Sequence, residues 1–201
     1  VFNRLLPYAQ ATNQTGIPFH WQMHVIRANE LNAWAMPGGK MVVYTGLVEN
    51  LNLTDDEIAA IIGHEMTHAL QEHSKQTFGQ KVLTGLGTQI AGQMIQNKTG
   101  WNPAYVNLGG NILSQYGIDL PFSRKHEEEA DIGGLILMTK AGYYPQAAIS
   151  LWQKMNRNGA GQSPSFLSTH PNIHARIQLL EKNMPTAMRY YQQSTAQKAY
   201  R

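Results

Sequence analysis

Thr54-Asp55-Asp56-Glu57-Ile58-Ala59-Ala60-Ile61-Ile62-Gly63-His64-Glu65-Met66-Thr67-His68 is the stretch from which the rest of the chain can be placed. It opens with T-x-x-E, the pattern in which a threonine side chain and a glutamate three residues on satisfy each other's backbone donors at a helix start. Asp55 and Asp56 put negative charge at the positive end of the helix dipole. Ile58, Ile61, Ile62, Met66, Ala69 and Leu70 recur at helical spacing and form an apolar face. The helix is expected to run to about Ser74. His64 and His68, four residues apart, then lie on one face and can reach a single ion. Glu65 lies about 100° around the helix from His64, so it can reach a metal-activated water without binding the metal.

A zinc site of this kind needs a third protein ligand and one open position. One extension of the motif asks for glycine at 71 and histidine at 74, but the chain has Gln71 and Ser74. The other route is a carboxylate on a later helix, and Ser123-Arg124-Lys125-His126-Glu127-Glu128-Glu129-Ala130-Asp131 supplies it. Ser123 is the expected N-cap and Gly142 the expected residue after the helix end. Glu127 and Asp131 share one face at i, i+4. Glu127 is expected to bind the metal, and Asp131 to accept a hydrogen bond from the second ring nitrogen of a ligand histidine, His64, fixing its tautomer. Glu128 and Glu129 read as a solvated acidic face. His73 reads as structural or surface; His20, His24, His126 and His174 carry no metal spacing.

Outward from these helices, residues 1–14 read as a helix ending near Gly16-Ile17-Pro18. The runs 21–26 and 40–45 read as strands, with Pro37-Gly38-Gly39 as a hairpin turn. The first quarter is therefore expected to be a helix followed by a small antiparallel sheet. Residues 78–120 are rich in Gly, Gln and Asn and are expected to form an arm or lid. Another helix opens at Pro145, residues 159–164 are loop, and a last helix starts near Pro171 and ends before Pro185, leaving a loose tail at 186–201. The composition suits a globular core: 14% of the 201 residues are charged, and cysteine is absent, which excludes disulfides and thiolate metal sites. The net charge of +3, spread without a Lys/Arg stripe, argues against nucleic acid as a partner. No run of 18 apolar residues is present.

H-E-x-x-H followed by S-R-x-x-E-x-x-A-D resembles the gluzincin peptidases related to HtpX, Oma-type and CAAX prenyl proteases. Three further segments carry the resemblance: Asn32-Ala33-Trp34-Ala35-Met36-Pro37-Gly38-Gly39, Thr45-Gly46-Leu47, and Ser168-Thr169-His170-Pro171 with Arg176. The likeness covers nearly the whole chain and is closest to the soluble, LoiP-like branch of the bacterial envelope. It implies a mainly helical α+β fold: a zincin-like core with a small antiparallel sheet beside the H-E-x-x-H helix, in a single metallopeptidase domain over 1–201. It implies one Zn2+ on His64, His68 and Glu127, and Glu65 as the base that activates water for peptide hydrolysis. Asn32, Ala33 and Trp34 match an edge strand on which substrate backbone adds as a further strand. His170 matches a cleft element and is expected to donate to the oxyanion or to bind zinc as a fourth ligand, with Arg176 supporting the same region. Polypeptides, unfolded or from the envelope, are the implied substrates. The implied location is the periplasm, with membrane association only through a removed N-terminal lipid anchor at the outer membrane. The alternative is a latent or chaperone-like zinc protein whose site His170 closes.

Overall fold

The computed structural model describes residues 1–83, 121–158 and 165–199. The arm expected at 78–120 lies outside the described residues from position 84 onward, as does the loop at 159–164. Helix α1 spans Phe2–Thr12, and strands β1 (Gln22–Ile26), β2 (Ala33–Ala35) and β3 (Lys40–Tyr44) follow. Then come α2 (Thr45–Asn50), α3 (Asp55–Leu70), α4 (His73–Leu83), α5 (Arg124–Lys140), α6 (Gln146–Asn158), α7 (Ser165–Thr169) and α8 (Ile173–Ala199). The α+β, mainly helical architecture expected from the sequence is the one observed.

The capping box forms. Thr54 Oγ1 accepts from the Glu57 N–H at 3.3 Å, and Glu57 Oε2 accepts from the Thr54 N–H at 2.9 Å. Glu57 also receives Lys154 Nζ at 2.7 Å and the Ser150 hydroxyl at 2.6 Å, which ties the start of α3 to α6. Ser123 caps α5 by accepting from the His126 N–H at 3.2 Å. Gly142 follows α5 with φ +79°, the left-handed conformation that lets the chain turn off the helix.

Helices α3 and α5 pack most closely where glycine faces glycine. A Cβ at Gly63 would lie 2.9 Å from the Gly134 carbonyl oxygen, and one at Gly134 would lie 2.6 Å from the His64 nitrogen. Ile61, Met66, Leu135 and Met138 extend the buried contact on either side. Helix α6 lies against α3 and α8, α8 against α5, and β2 against α3.

Three expected features are corrected. First, the sheet is mixed, with order β1-β3-β2: β2 pairs antiparallel with β3 across the Pro37–Gly39 hairpin, but β1 pairs parallel with β3. The cause is the connection after β1, which crosses the end of β3. The Gly46 N–H donates to Ala28 O at 2.8 Å, and a Cβ at Gly46 would meet the Asn29 carbonyl carbon at 2.4 Å, so only glycine admits the crossing. Second, α3 ends at Leu70 rather than near Ser74, because Glu72 adopts φ +54° and breaks the helix before α4. Third, α8 passes through Pro185 to Ala199 instead of ending before it. Leu180 and Ala187 are both buried in the core, and this packing on either side offsets the lost helical bond. The short helices α2 and α7 carry no signal that patterning detects.

Candidate metal centre

Four buried side chains converge where α3, α5 and the turn after α7 meet. His64, His68, Glu127 and His170 each offer a donor atom, all within 4.8 Å of one another. His64 Nε2 lies 3.0 Å from His68 Nε2 and 3.3 Å from His170 Nδ1. Glu127 Oε1 lies 3.3 Å from His68 Nε2 and 2.9 Å from His170 Nδ1, and Glu127 Oε2 is 3.6 Å from His64 Nε2. A tetrahedral ion with ligand bonds of about 2.0–2.1 Å requires donors about 3.4 Å apart. The cluster has that spacing, and nitrogen with carboxylate oxygen is a donor set suited to zinc.

Local structure explains each position. His64 and His68 sit one turn apart on the buried face of α3 (2% exposed each). Glu127 lies in the first turn of α5, set by the Ser123 cap. His170 follows α7: its N–H donates to Phe166 O at 2.9 Å, and its ring stacks on Phe166 at 4.2 Å.

Burial governs the protonation states. It pushes His64 down to about 4, with the Arg176 charge adding to the effect, and it holds His68 well below its usual range. Both rings are thus neutral, as metal ligation requires. Burial raises Glu127, but His170 and Arg176 outweigh it and hold the carboxyl far below the usual carboxylate range. Glu65 is pushed up to about 7 by burial, against the opposing pull of His170. Its Oε1 has no hydrogen-bond partner among the described residues and stands 3.4 Å from His170 Nε2.

Asp131 is buried on α5, with Oδ1 3.0 Å from His64 Nδ1. Arg176 grips the same carboxylate with both arms, Nε to Oδ2 at 2.7 Å and Nη2 to Oδ1 at 2.6 Å. Its Nη1 lies 2.7 Å from Glu127 Oε2, a charge contact without hydrogen-bond alignment. The guanidinium packs 3.5 Å above Trp152. Arg176 is thus buried behind the ligands, with its donors turned to Asp131 and Glu127 and its Nη2 also 3.1 Å from His64 Nδ1.

Asn32, Ala33 and Trp34 lie in or beside β2, an edge of the sheet that packs on α3. Asn32 O accepts from Tyr44 and the Met36 N–H donates to Lys40 O. By antiparallel alternation, the backbone groups of Ala33 and Ala35 therefore turn away from β3. The Ala35 N–H donates to the Glu65 carboxylate, which ties this edge to the site.

The sequence marks His73 only as a structural or surface residue. The break at Glu72 folds it back under the site, fully buried, with Nδ1 2.9 Å from His68 Nδ1 and Nε2 3.0 Å from Glu129 Oε2. The five-residue interval from His68 has no meaning on a continuous helix, and a left-handed glutamate leaves no mark in the sequence. Glu129, read as solvated, is half exposed and spends one oxygen on His73.

Comparison with known proteins gives one family. Residues 2–184 match the model of Peptidase family M48. The chain is 35% identical over 176 residues to the mitochondrial metalloendopeptidase OMA1 of Schizosaccharomyces pombe, covering 83% of this chain and 48% of that protein. It is 28% identical over 183 residues to Metalloprotease LoiP of Escherichia coli, covering 88% and 67%. It is 27% identical over 182 residues to the beta-barrel assembly-enhancing protease of Yersinia pestis, covering 87% and 36%. The chain spans between about a third and a half of the length of the OMA1 relatives it matches.

Proposed function

This chain belongs to peptidase family M48, and from that premise we propose that it is a zinc-dependent endopeptidase acting on misfolded or envelope proteins. The observation that carries the reading is the convergence of His64, His68 and Glu127 beside a Glu65 whose Oε1 is buried with no hydrogen-bond partner among the described residues. Zinc, when bound, polarises the scissile carbonyl and acidifies water. Glu65, pushed up to about 7, accepts a proton from the attacking water near neutral pH and returns it to the leaving amine. His170 Nε2, on the Glu65 side of the cluster, donates to the oxyanion as the carbonyl is attacked. Asp131 holds the His64 tautomer, and Arg176 acts as a positioning residue through Asp131 and Glu127. Substrate backbone adds to the outward edge of β2 along Asn32, Ala33 and Trp34, where the backbone groups of Ala33 turn away from β3.

The name of the beta-barrel assembly-enhancing relative supports substrates in the bacterial envelope, and a periplasmic location with a lipid anchor at the outer membrane belongs to the same proposal. No helix among the described residues is long and apolar enough to cross a membrane. The single domain over 1–201 belongs to the same proposal.

A second reading has its own observation. His170 Nδ1 is as close to Glu127 and His64 as a fourth ligand would be, so His170 closes the site in a latent or chaperone-like state. His170→Ala separates the two: its turnover rises if His170 is a plug and falls if it is an oxyanion donor.

The primary test is cleavage of casein by wild type and by Glu65→Gln, with zinc content measured on both. Glu65→Gln should lose about 10²–10⁴-fold in kcat while keeping one zinc per chain. Equal cleavage by both would remove Glu65 as the base.

A further inference from the structure

We propose that His73 is a positioning residue for the metal centre, fixing His68 in the tautomer that presents Nε2 to the ion through a chain of hydrogen bonds ending on Glu129. The inference rests on the metallopeptidase reading above and adds a residue pair to it. His68 Nε2 is the nitrogen that faces the cluster, 3.0 Å from His64 Nε2 and 3.3 Å from Glu127 Oε1. A metal-ligating nitrogen carries no proton, so a neutral His68 has its proton on Nδ1. That Nδ1 lies 2.9 Å from His73 Nδ1. His73 Nδ1 must therefore accept, which leaves its own proton on Nε2. Nε2 in turn lies 3.0 Å from Glu129 Oε2, an acceptor. One assignment of protons satisfies every member: His68 donates to His73, and His73 donates to Glu129.

The surroundings hold the ring in that role. His73 is fully buried, and His126 stacks on it at 4.4 Å with 15° between the planes. His126 is itself held by the Gln76 side chain at 3.2 Å. The left-handed Glu72 turns His73 back toward His68. The two ligand histidines of α3 are thus oriented by different means: His64 directly by a carboxylate, Asp131, and His68 by a histidine that relays one. Because Glu129 is 41% exposed on its side chain, this second support reaches solvent while the first is sealed.

The experiment measures zinc affinity by competition with a chromophoric chelator on the intact protein, for wild type, His73→Phe, His73→Gln and Glu129→Ala, with folding checked by circular dichroism. Phenylalanine keeps the ring and its stacking but cannot accept, so His73→Phe should bind zinc about 10–100-fold more weakly. Glutamine offers an oxygen to His68 and an N–H to Glu129, so His73→Gln should recover most of the loss. A merely structural histidine would not be rescued in this way. Glu129→Ala, altered at a half-exposed side chain, should weaken zinc by less than His73→Phe, and it carries the test if His73→Phe does not fold. Wild-type affinity in a folded His73→Phe, or in Glu129→Ala where His73→Phe does not fold, would overturn the inference while leaving the metal site intact. So would a folded His73→Gln as weak as His73→Phe. A wild type that takes up no zinc would overturn the metallopeptidase reading, and this one with it.

Discussion

Arg176 brings a full charge into the middle of the fold, and its neighbours account for that charge. Asp131 takes two of its nitrogens, Glu127 lies against a third, and Trp152 covers the guanidinium plane. Burial disfavours the charge, but the two carboxylates outweigh it and raise the Arg176 pKa above its usual value. Removing the arginine leaves both carboxylates buried without the charge that each contacts. Arg176→Leu should therefore cost about 3–5 kcal/mol in urea unfolding. Arg176→Lys should recover little of it, since an ammonium cannot span both oxygens of Asp131 or lie flat on Trp152. A lysine variant as stable as wild type would mean that charge alone, and not the fork, is what the site needs. Asp131→Asn tests the same group from the other side. Its amide cannot be gripped by Arg176 on both atoms, and zinc affinity should fall about 10–100-fold.

At the scale of elements, α3 does two jobs from one sequence, capping itself at one end and presenting ligands at the other. The cap is the more legible. Thr54 and Glu57 were readable from spacing alone, and Thr54→Ala should lower stability by about 1 kcal/mol in thermal melts. Glu57 adds a pH signature. Burial raises its pKa, but Lys154, Ser150 and the Thr54 N–H together hold it below the ordinary value. A carboxylate depressed on folding stabilises above its unfolded pKa and loses that contribution as the pH falls through its folded one. The melting-temperature gap between wild type and Glu57→Gln should accordingly narrow on acidification below the ordinary glutamate range; a gap that does not change with pH would sink this account. The crossing of α3 with α5 was not legible. Gly63 and Gly134 are ordinary glycines in sequence, yet their contact sets the distance between the ligand helices. Gly134→Ala should destabilise by about 1–3 kcal/mol and weaken zinc as well, because the new methyl meets the His64 backbone. The same contrast holds for the site. His64, Glu65, His68, Glu127 and Asp131 are legible in the sequence as candidates, from helical period. His73 and the parallel pairing of β1 depend on a left-handed residue and a loop crossing, which no periodicity records.

For the whole molecule, the cluster joins segments far apart in the chain, with 106 positions between His64 and His170. Two fastenings link these segments. One is ionic and belongs to the protein: Arg176 of α8 holds Asp131 of α5, which holds His64 of α3. The other is the zinc proposed for His64, His68 and Glu127. Because the first needs no metal, chelation should leave the chain folded but less stable. A ligand present at about a thousand times its Kd contributes about 4 kcal/mol. For a domain of this size that amounts to a fall in Tm of about 8–16 °C on stripping the metal. Differential scanning calorimetry with and without chelator measures it, and adding zinc back should restore the original transition. Glu65→Gln should show the same shift, since Glu65 is not a ligand, whereas His68→Ala should show a smaller one. If chelation removes the metal and the transition does not move, the ion contributes to the chemistry alone and the ionic network holds α3, α5 and α8 together by itself.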